Sequence, residues 1–187
     1  MSDRSTAQAD YEKSAKIERN VVYEGKTISL RNDVLMDGGK PVRKWDIVAH
    51  PGAVVVVPVT KDGKIILVKQ WRRAVQEILL ELPAGTLEKG EPPELCAQRE
   101  LQEETGFKAK EIISLGGFYS APGFCTEYLH LFLAKGLTES ALEADCDEAI
   151  DLVYADVGQV WKMIADGLIH DAKTIAGVAR YEKWAQH

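Results

Sequence analysis

Apolar and polar positions divide this chain into a polar front, a buried middle and an amphipathic tail. Residues 1–19 are polar, expected to be loose, with at most a short helix. Residues 21–34 (VVYEGKTISLRNDV) alternate well enough for one or two strands with a turn at Glu24-Gly25. Asp37-Gly38-Gly39-Lys40 is a turn signal, and residues 42–48 return as the partner strand. Such a small antiparallel unit of about three strands is marginal alone and needs something to pack against. From residue 53 the pattern changes. AVVVVPV (53–59) is almost wholly apolar and β-branched, Asp62-Gly63 predicts a hairpin turn, and 64–70 is the next strand. Further strands are expected over 77–82, 111–119, 128–134 and 150–155, and helices over 157–165 and 174–185. Strands interleaved with helices predict an α/β sandwich.

The stretch 85–107, GTLEKGEPPELCAQRELQEETGF, carries the candidate chemistry. Pro92 and Pro93 suit the first turn of a helix and Gly106 the residue just past its end. Within it Glu100, Glu103 and Glu104 stand at i, i+3 and i+4, so the three carboxylates share one face. Like charges so placed repel, and Arg99 is the one basic residue inside the helix. A hard divalent cation suits such a face, because Mg²⁺ takes oxygen ligands and bridges carboxylates to substrate phosphates. A solvated acidic face is the alternative for the charges taken alone.

Composition narrows the partners. The chain has 187 residues, 45% hydrophobic and 28% charged, as expected for one domain with an appendage. A formal charge of −6 argues against a nucleic-acid-binding surface. Cys96, Cys125 and Cys146 are odd in number and far apart, so reduced thiols are expected rather than a disulfide framework or zinc site. The first twenty residues lack an apolar signal region, and no run approaches the roughly 20 apolar residues of a membrane span; a cytoplasmic protein without membrane partners is expected.

Gly85, Glu91 and Arg99-Glu100-Leu101-Gln102-Glu103-Glu104-Thr105-Gly106-Phe107, at these spacings, resemble the complete box of the Nudix hydrolases, with Phe107 where an aliphatic residue is commoner. The flanks narrow the resemblance. Glu81-Leu82-Pro83-Ala84-Gly85, Tyr119-Ser120-Ala121-Pro122-Gly123 followed by Glu127, and Asp171-Ala172-Lys173-Thr174-Ile175-Ala176-Gly177 are similar to the branch of ADP-ribose pyrophosphatases and nucleoside diphosphate sugar hydrolases. That resemblance implies a Nudix fold, a mixed β-sheet between helices with a small N-terminal antiparallel unit. The implied division is residues 1–50, a dimerisation unit, and 51–187, the Nudix domain. It further implies a homodimer that exchanges its front strands.

The same resemblance implies site residues. Glu100 and Glu104 are the first-choice metal ligands, helped by Glu103 and the Ala84 carbonyl, with Mg²⁺ as cofactor and Mn²⁺ as a substitute. Glu148, in the acidic run 139–151, matches a metal-binding or base glutamate, with Asp145 and Asp147 in reserve. Cys146 stands where some relatives carry a second glutamate, which leaves the identity of the base open. Glu127 is a candidate for metal-bound water or the terminal ribose, or an ordinary surface residue. Arg72 matches a phosphate-binding arginine, and a guanidinium fork suits a diphosphate. Glu81 and Pro122 complete the substrate set. Trp45 replaces an acidic residue of many relatives and is either a base-stacking ring or a half-buried strand aromatic. Arg99 and Glu91 are expected to brace the helix, Trp71 to pack in the dimer or near the base, and His130 to be a core histidine. The expected reaction is ADP-ribose plus water giving AMP and ribose 5-phosphate. The alternatives are hydrolysis of a nucleoside diphosphate sugar such as GDP-mannose, and nucleotide sensing without cleavage.

Overall fold

The structure is a computed structural model that describes residues 4–140 and 150–187. Its contacts divide the chain into two units, Met1–Pro51 with Ala121–Glu127, and Gly52–Ser120 with Tyr128–His187.

In the first unit α1 (Arg4–Ser14) has no buried side chain, and β1 (Lys16–Glu24), β2 (Ser29–Asp37) and β3 (Lys40–Ala49) form an antiparallel sheet with β2 in the centre. Gly38 and Gly39 have φ of +53° and +78°, as both central residues of a tight primed hairpin require. The first strand starts at Lys16 rather than near residue 21. Its polar opening (KIERN) is held by pairing to Asn32–Met36 of β2, not by burial. Leu35 is the one fully buried side chain in the three strands, while Val21, Val22, Tyr23 and Val42 are exposed.

The second unit runs β4 (Ala53–Pro58), β5 (Ile65–Arg72), β6 (Glu77–Glu81), β7 (Ala84–Thr86), α2 (Pro93–Thr105), β8 (Phe107–Lys108), β9 (Glu111–Tyr119), β10 (Tyr128–Lys135), β11 (Thr138–Glu139), β12 (Asp151–Ala155), α3 (Val157–Ala165) and α4 (Ala172–Ala185). A mixed sheet has the order β7-β4-β10-β9, with β4 and β10 parallel. An antiparallel sheet has the order β12-β5-β6, and β8 pairs with β11. Alternation along β4 explains the layers. Val54 and Val56 pack with Cys96, Ala97 and Leu101 of α2, whereas Val55 and Val57 pack with Leu67, Val160 and Val178. Every residue of β4 is buried because both faces are covered, which is why its sequence is a continuous apolar run. At Gly177 α4 meets the core closely: a Cβ there would lie 2.6 Å from Leu82 Cδ1.

Two expectations are corrected. The Asp62-Gly63 turn forms, but beyond a single bridge at Val59 and Ile65 its flanking strands part into different sheets rather than pairing as a hairpin. His130 is half-buried rather than a core residue. It stands opposite Gly117, which has no side chain to cover it.

Candidate active site

Proline opens the carboxylate helix and glycine closes it. Pro92 is the extended N-cap residue of α2, and Gly106 has φ +73°, a left-handed conformation in which its N–H reaches the Gln102 carbonyl. Leu101 and Ala97 are buried on one side, which fixes the roll of the helix and turns Glu100 and Glu104 toward β7, while Glu103 pairs with Arg99 on the helix itself. Glu104 is buried and accepts the Ala84 N–H at 3.0 Å. Glu100 rests on Gly85, where a Cβ would lie 1.8 Å from its Cδ. Only glycine leaves that space.

Arg99 ties the helix carboxylates to one another and to Glu91. Its Nη1 donates to Glu100 Oε1 at 2.6 Å and Glu103 Oε2 at 2.9 Å, and its Nε and Nη2 donate to Glu91 at 3.0 and 3.1 Å. Hydrogen bonds from Arg99 hold the Glu91 carboxyl down to about 2, against a smaller opposing effect of burial. Burial pushes the neighbouring Cys96 thiol up to about 12, so it remains a protonated core group. One guanidinium faces Glu91, Glu100 and Glu103, with Glu104 adjacent, and the excess of hard oxygen donors fits a divalent cation. Among the described residues these groups are not gathered into a ready metal cage; they are turned to Arg99 and to the Ala84 amide.

A second network lies at the strand end that feeds this loop. Arg72 grips Glu81 bidentately, Nε to Oε1 at 2.9 Å and Nη2 to Oε2 at 2.6 Å, and Lys173 also binds Oε2. Burial pushes Glu81 up, but Arg72 and Lys173 together outweigh it and hold the carboxyl below its ordinary range. The hydrogen bond to Glu81 raises Arg72, and Glu104 adds to this at longer range. Lys173 binds Asp171 at 3.0 Å, and Asp171 caps α4 by accepting the Thr174 N–H at 2.9 Å. The Thr174 hydroxyl in turn accepts the buried Leu82 N–H at 2.8 Å. The start of α4 therefore fixes Glu81-Leu82-Pro83 just ahead of Ala84. Asp171 and Lys173 were not singled out as site residues. Both stand in the segment 171–177 that resembles the branch, but that segment assigns neither a role, and the pairing of Lys173 with Glu81 spans 92 positions.

The expected site residues fall in both units. Arg72, Glu81, Ala84, Glu100, Glu103 and Glu104 lie in the second; Trp45, Pro122 and Glu127 lie in the first. There Trp45 is half-buried with the Arg43 guanidinium 4.9 Å above its ring, and with Ile17, Ile47 and Pro122 it lines a cleft of about 790 Å³. Glu127 lies 3.6 Å from His50 Nε2. Trp71 is 51% exposed. Glu148, with Asp145, Cys146 and Asp147, lies outside the described residues. No described helix is long and apolar enough to cross a membrane.

Comparison with known proteins identifies the family. The Nudix domain family matches residues 49–177. The chain is 44% identical over 161 residues to an ADP-ribose pyrophosphatase of Bacillus subtilis (84% of this chain, 86% of the relative). It is 39% identical over 170 residues to a methanol dehydrogenase activator of Bacillus methanolicus (89% and 90%). It is 32% identical over 154 residues to a GDP-mannose pyrophosphatase of Yersinia enterocolitica (76% and 80%). A crystal structure of an ADP compounds hydrolase superposes with a TM-score of 0.80 at 22% identity, covering 92% of this chain and 94% of that one, and supports the fold. The chain belongs to the Nudix hydrolase family, as an enzyme of the pyrophosphatase kind in the branch of ADP-ribose pyrophosphatases and nucleoside diphosphate sugar hydrolases.

Proposed function

We propose that this enzyme hydrolyses ADP-ribose to AMP and ribose 5-phosphate with the help of Mg²⁺. The observation that carries the reading is the seating of Glu104 on the Ala84 amide and of Glu100 on Gly85, with the Arg72 guanidinium held by Glu81 on the strands that lead into this loop. Likeness to the Bacillus subtilis ADP-ribose pyrophosphatase supports the choice of substrate.

Each residue has a part in that reading. Glu100, Glu103, Glu104 and the Ala84 carbonyl are the groups that would hold the metal, with Glu148 as a further ligand. A divalent cation bound there would neutralise charge on the diphosphate and lower the pKa of the attacking water. Arg72, braced by Glu81, orients the diphosphate oxygens, since a fixed guanidinium loses little freedom on binding. Trp45 and Pro122 are the candidates for contacting the base. Glu148 takes the proton from water, with Glu103 and Glu127 as the other candidates. Water forms a new bond to one phosphorus and the P–O bond to the bridging oxygen breaks, leaving a phosphate on each half. The exposed Val21, Val22 and Tyr23 of β1 support a homodimer; a solution mass near 20.7 kDa instead of its double overturns that part. A cytoplasmic address fits a substrate of this kind.

A second reading, hydrolysis of GDP-mannose or another nucleoside diphosphate sugar to a nucleoside monophosphate and a sugar 1-phosphate, is supported by the Yersinia relative. A panel of ADP-ribose, GDP-mannose, ADP-glucose and UDP-glucose with product identification separates the two. Highest kcat/KM on ADP-ribose is expected; a preference for GDP-mannose moves the assignment to the second reading. Tight binding with no cleavage of any of them identifies a sensor and rejects both.

A further inference from the structure

Three aromatic side chains of β9 and β10 have no part in the chemistry above. Tyr119 lies opposite Tyr128 in the antiparallel register, ring centroids 5.1 Å apart and 76° between planes. Tyr128 meets His130 in the same edge-to-face manner, at 4.9 Å and 74°. Positions 128 and 130 share a strand face with Phe132 and Ala134, and those two pack in one cluster with Cys96, Ala97 and Leu101 of α2. The aromatic row therefore occupies the carboxylate-helix side of the sheet. Cover falls away along that face: Phe132 is 2% exposed, Tyr128 and His130 are half-buried, and Tyr119 is 58% exposed.

Register ties this row to the carboxylates. Gly85 is opposite Val54, Val54 is opposite His130, and His130 is opposite Gly117. Two interstrand spacings, roughly 10 Å in all, separate the backbone under Glu100 from that of His130. Gly117 makes room for the row, because a Cβ there would lie 2.6 Å from Tyr128 Cε1 and Oη. A ring laid across a glycine and gripped edge-on at both sides is pre-organised.

We propose that Tyr128 and His130, flanked by Tyr119, recognise the sugar on the far side of the diphosphate and so set which sugar the enzyme accepts. This rests on the reading above, in which the diphosphate sits at Glu100. A sugar offers an apolar C–H face and a rim of hydroxyls. Aromatic faces take the first, and the Tyr128 hydroxyl and the imidazole nitrogens of His130 supply donors and acceptors for the second. Were the row merely core, its side chains would be as covered as Phe132.

The test compares ADP-ribose with ADP-glucose, which share the nucleoside diphosphate and differ in the sugar. His130→Ala and Tyr128→Leu are expected to raise KM for ADP-ribose about tenfold, the effect of one lost hydrogen bond to a bound ligand. They are also expected to shift the kcat/KM ratio between the two sugars about fivefold or more. Inhibition by ADP, which lacks the sugar, stays unchanged, and His130→Asn restores part of the KM. Where Tyr128→Leu does not fold, Tyr128→Phe, which removes the hydroxyl alone, carries the comparison. An unmoved sugar ratio beside normal ADP-ribose hydrolysis overturns this inference and leaves the proposed function standing. Equal loss on both sugars and on ADP inhibition assigns the row a structural role and overturns it too. If the wild type cleaves neither compound, the reading beneath fails and the inference falls with it.

Discussion

The carboxylate of Glu100 lies against the backbone of Gly85, so close that a Cβ at position 85 would fall 1.8 Å from Glu100 Cδ. The obstacle is the end of a flexible side chain rather than backbone, so Gly85→Ala displaces the carboxylate and spares the fold. The expected outcome is a melting temperature within a few degrees of the wild type and a Mg²⁺ requirement raised about tenfold, the scale of a disturbed metal-site support. A magnesium titration of activity beside a thermal melt checks it; an unchanged requirement means that the position of Glu100 is not set by this contact.

Glu81 is 1% exposed and holds both Arg72 and Lys173. Glu81→Gln leaves two cations facing a neutral amide. The cost should be about 3 kcal/mol, the low end for a broken buried pair, because Arg72 can turn to water. Adding Lys173→Met should cost less than the two single changes summed, since the second removes a charge already stranded by the first. Strict additivity in urea unfolding would argue that the three groups are not coupled.

Acid should weaken the fold through Glu91. Arg99 holds its carboxyl down to about 2 from an ordinary 4.5. A lowered folded-state value means the stabilisation is fully present above about 4.5 and is lost as pH falls toward about 2. Glu81, also lowered, adds in the same direction. Urea midpoints measured from pH 7 to 2 should drop through that window, and Glu91→Gln should flatten the drop. An equal slope in the variant assigns the acid sensitivity to other groups.

What the sequence revealed depended on how local the cause was. The bounds of α2 follow from Pro92, Pro93 and Gly106, residues that act on their own backbone, and the buried strand β4 follows from its β-branched run. By contrast β7, β8 and β11 are two or three residues long and carry no periodicity; partners elsewhere in the sheets define them. The polar opening of β1 is strand only because β2 pairs with it. Within the site the spacing of Glu100, Glu103 and Glu104 was legible because a helix converts spacing into a common face. Lys173 reaching Glu81 across 92 positions was not, and neither was the half-open setting of His130, which depends on Gly117 in another strand.

If the carboxylate face of α2 drives hydrolysis of ADP-ribose, Glu104→Gln removes that activity and leaves the fold intact. The amide can still accept the Ala84 N–H but no longer offers a charged ligand. With ADP-ribose and Mg²⁺ the wild type should release AMP and ribose 5-phosphate in equal amounts. The variant should lose at least about a hundredfold in kcat while melting within a few degrees of the wild type. ADP-ribose turnover that survives the substitution unchanged, or a wild type that binds ADP-ribose without cleaving it, would contradict the account.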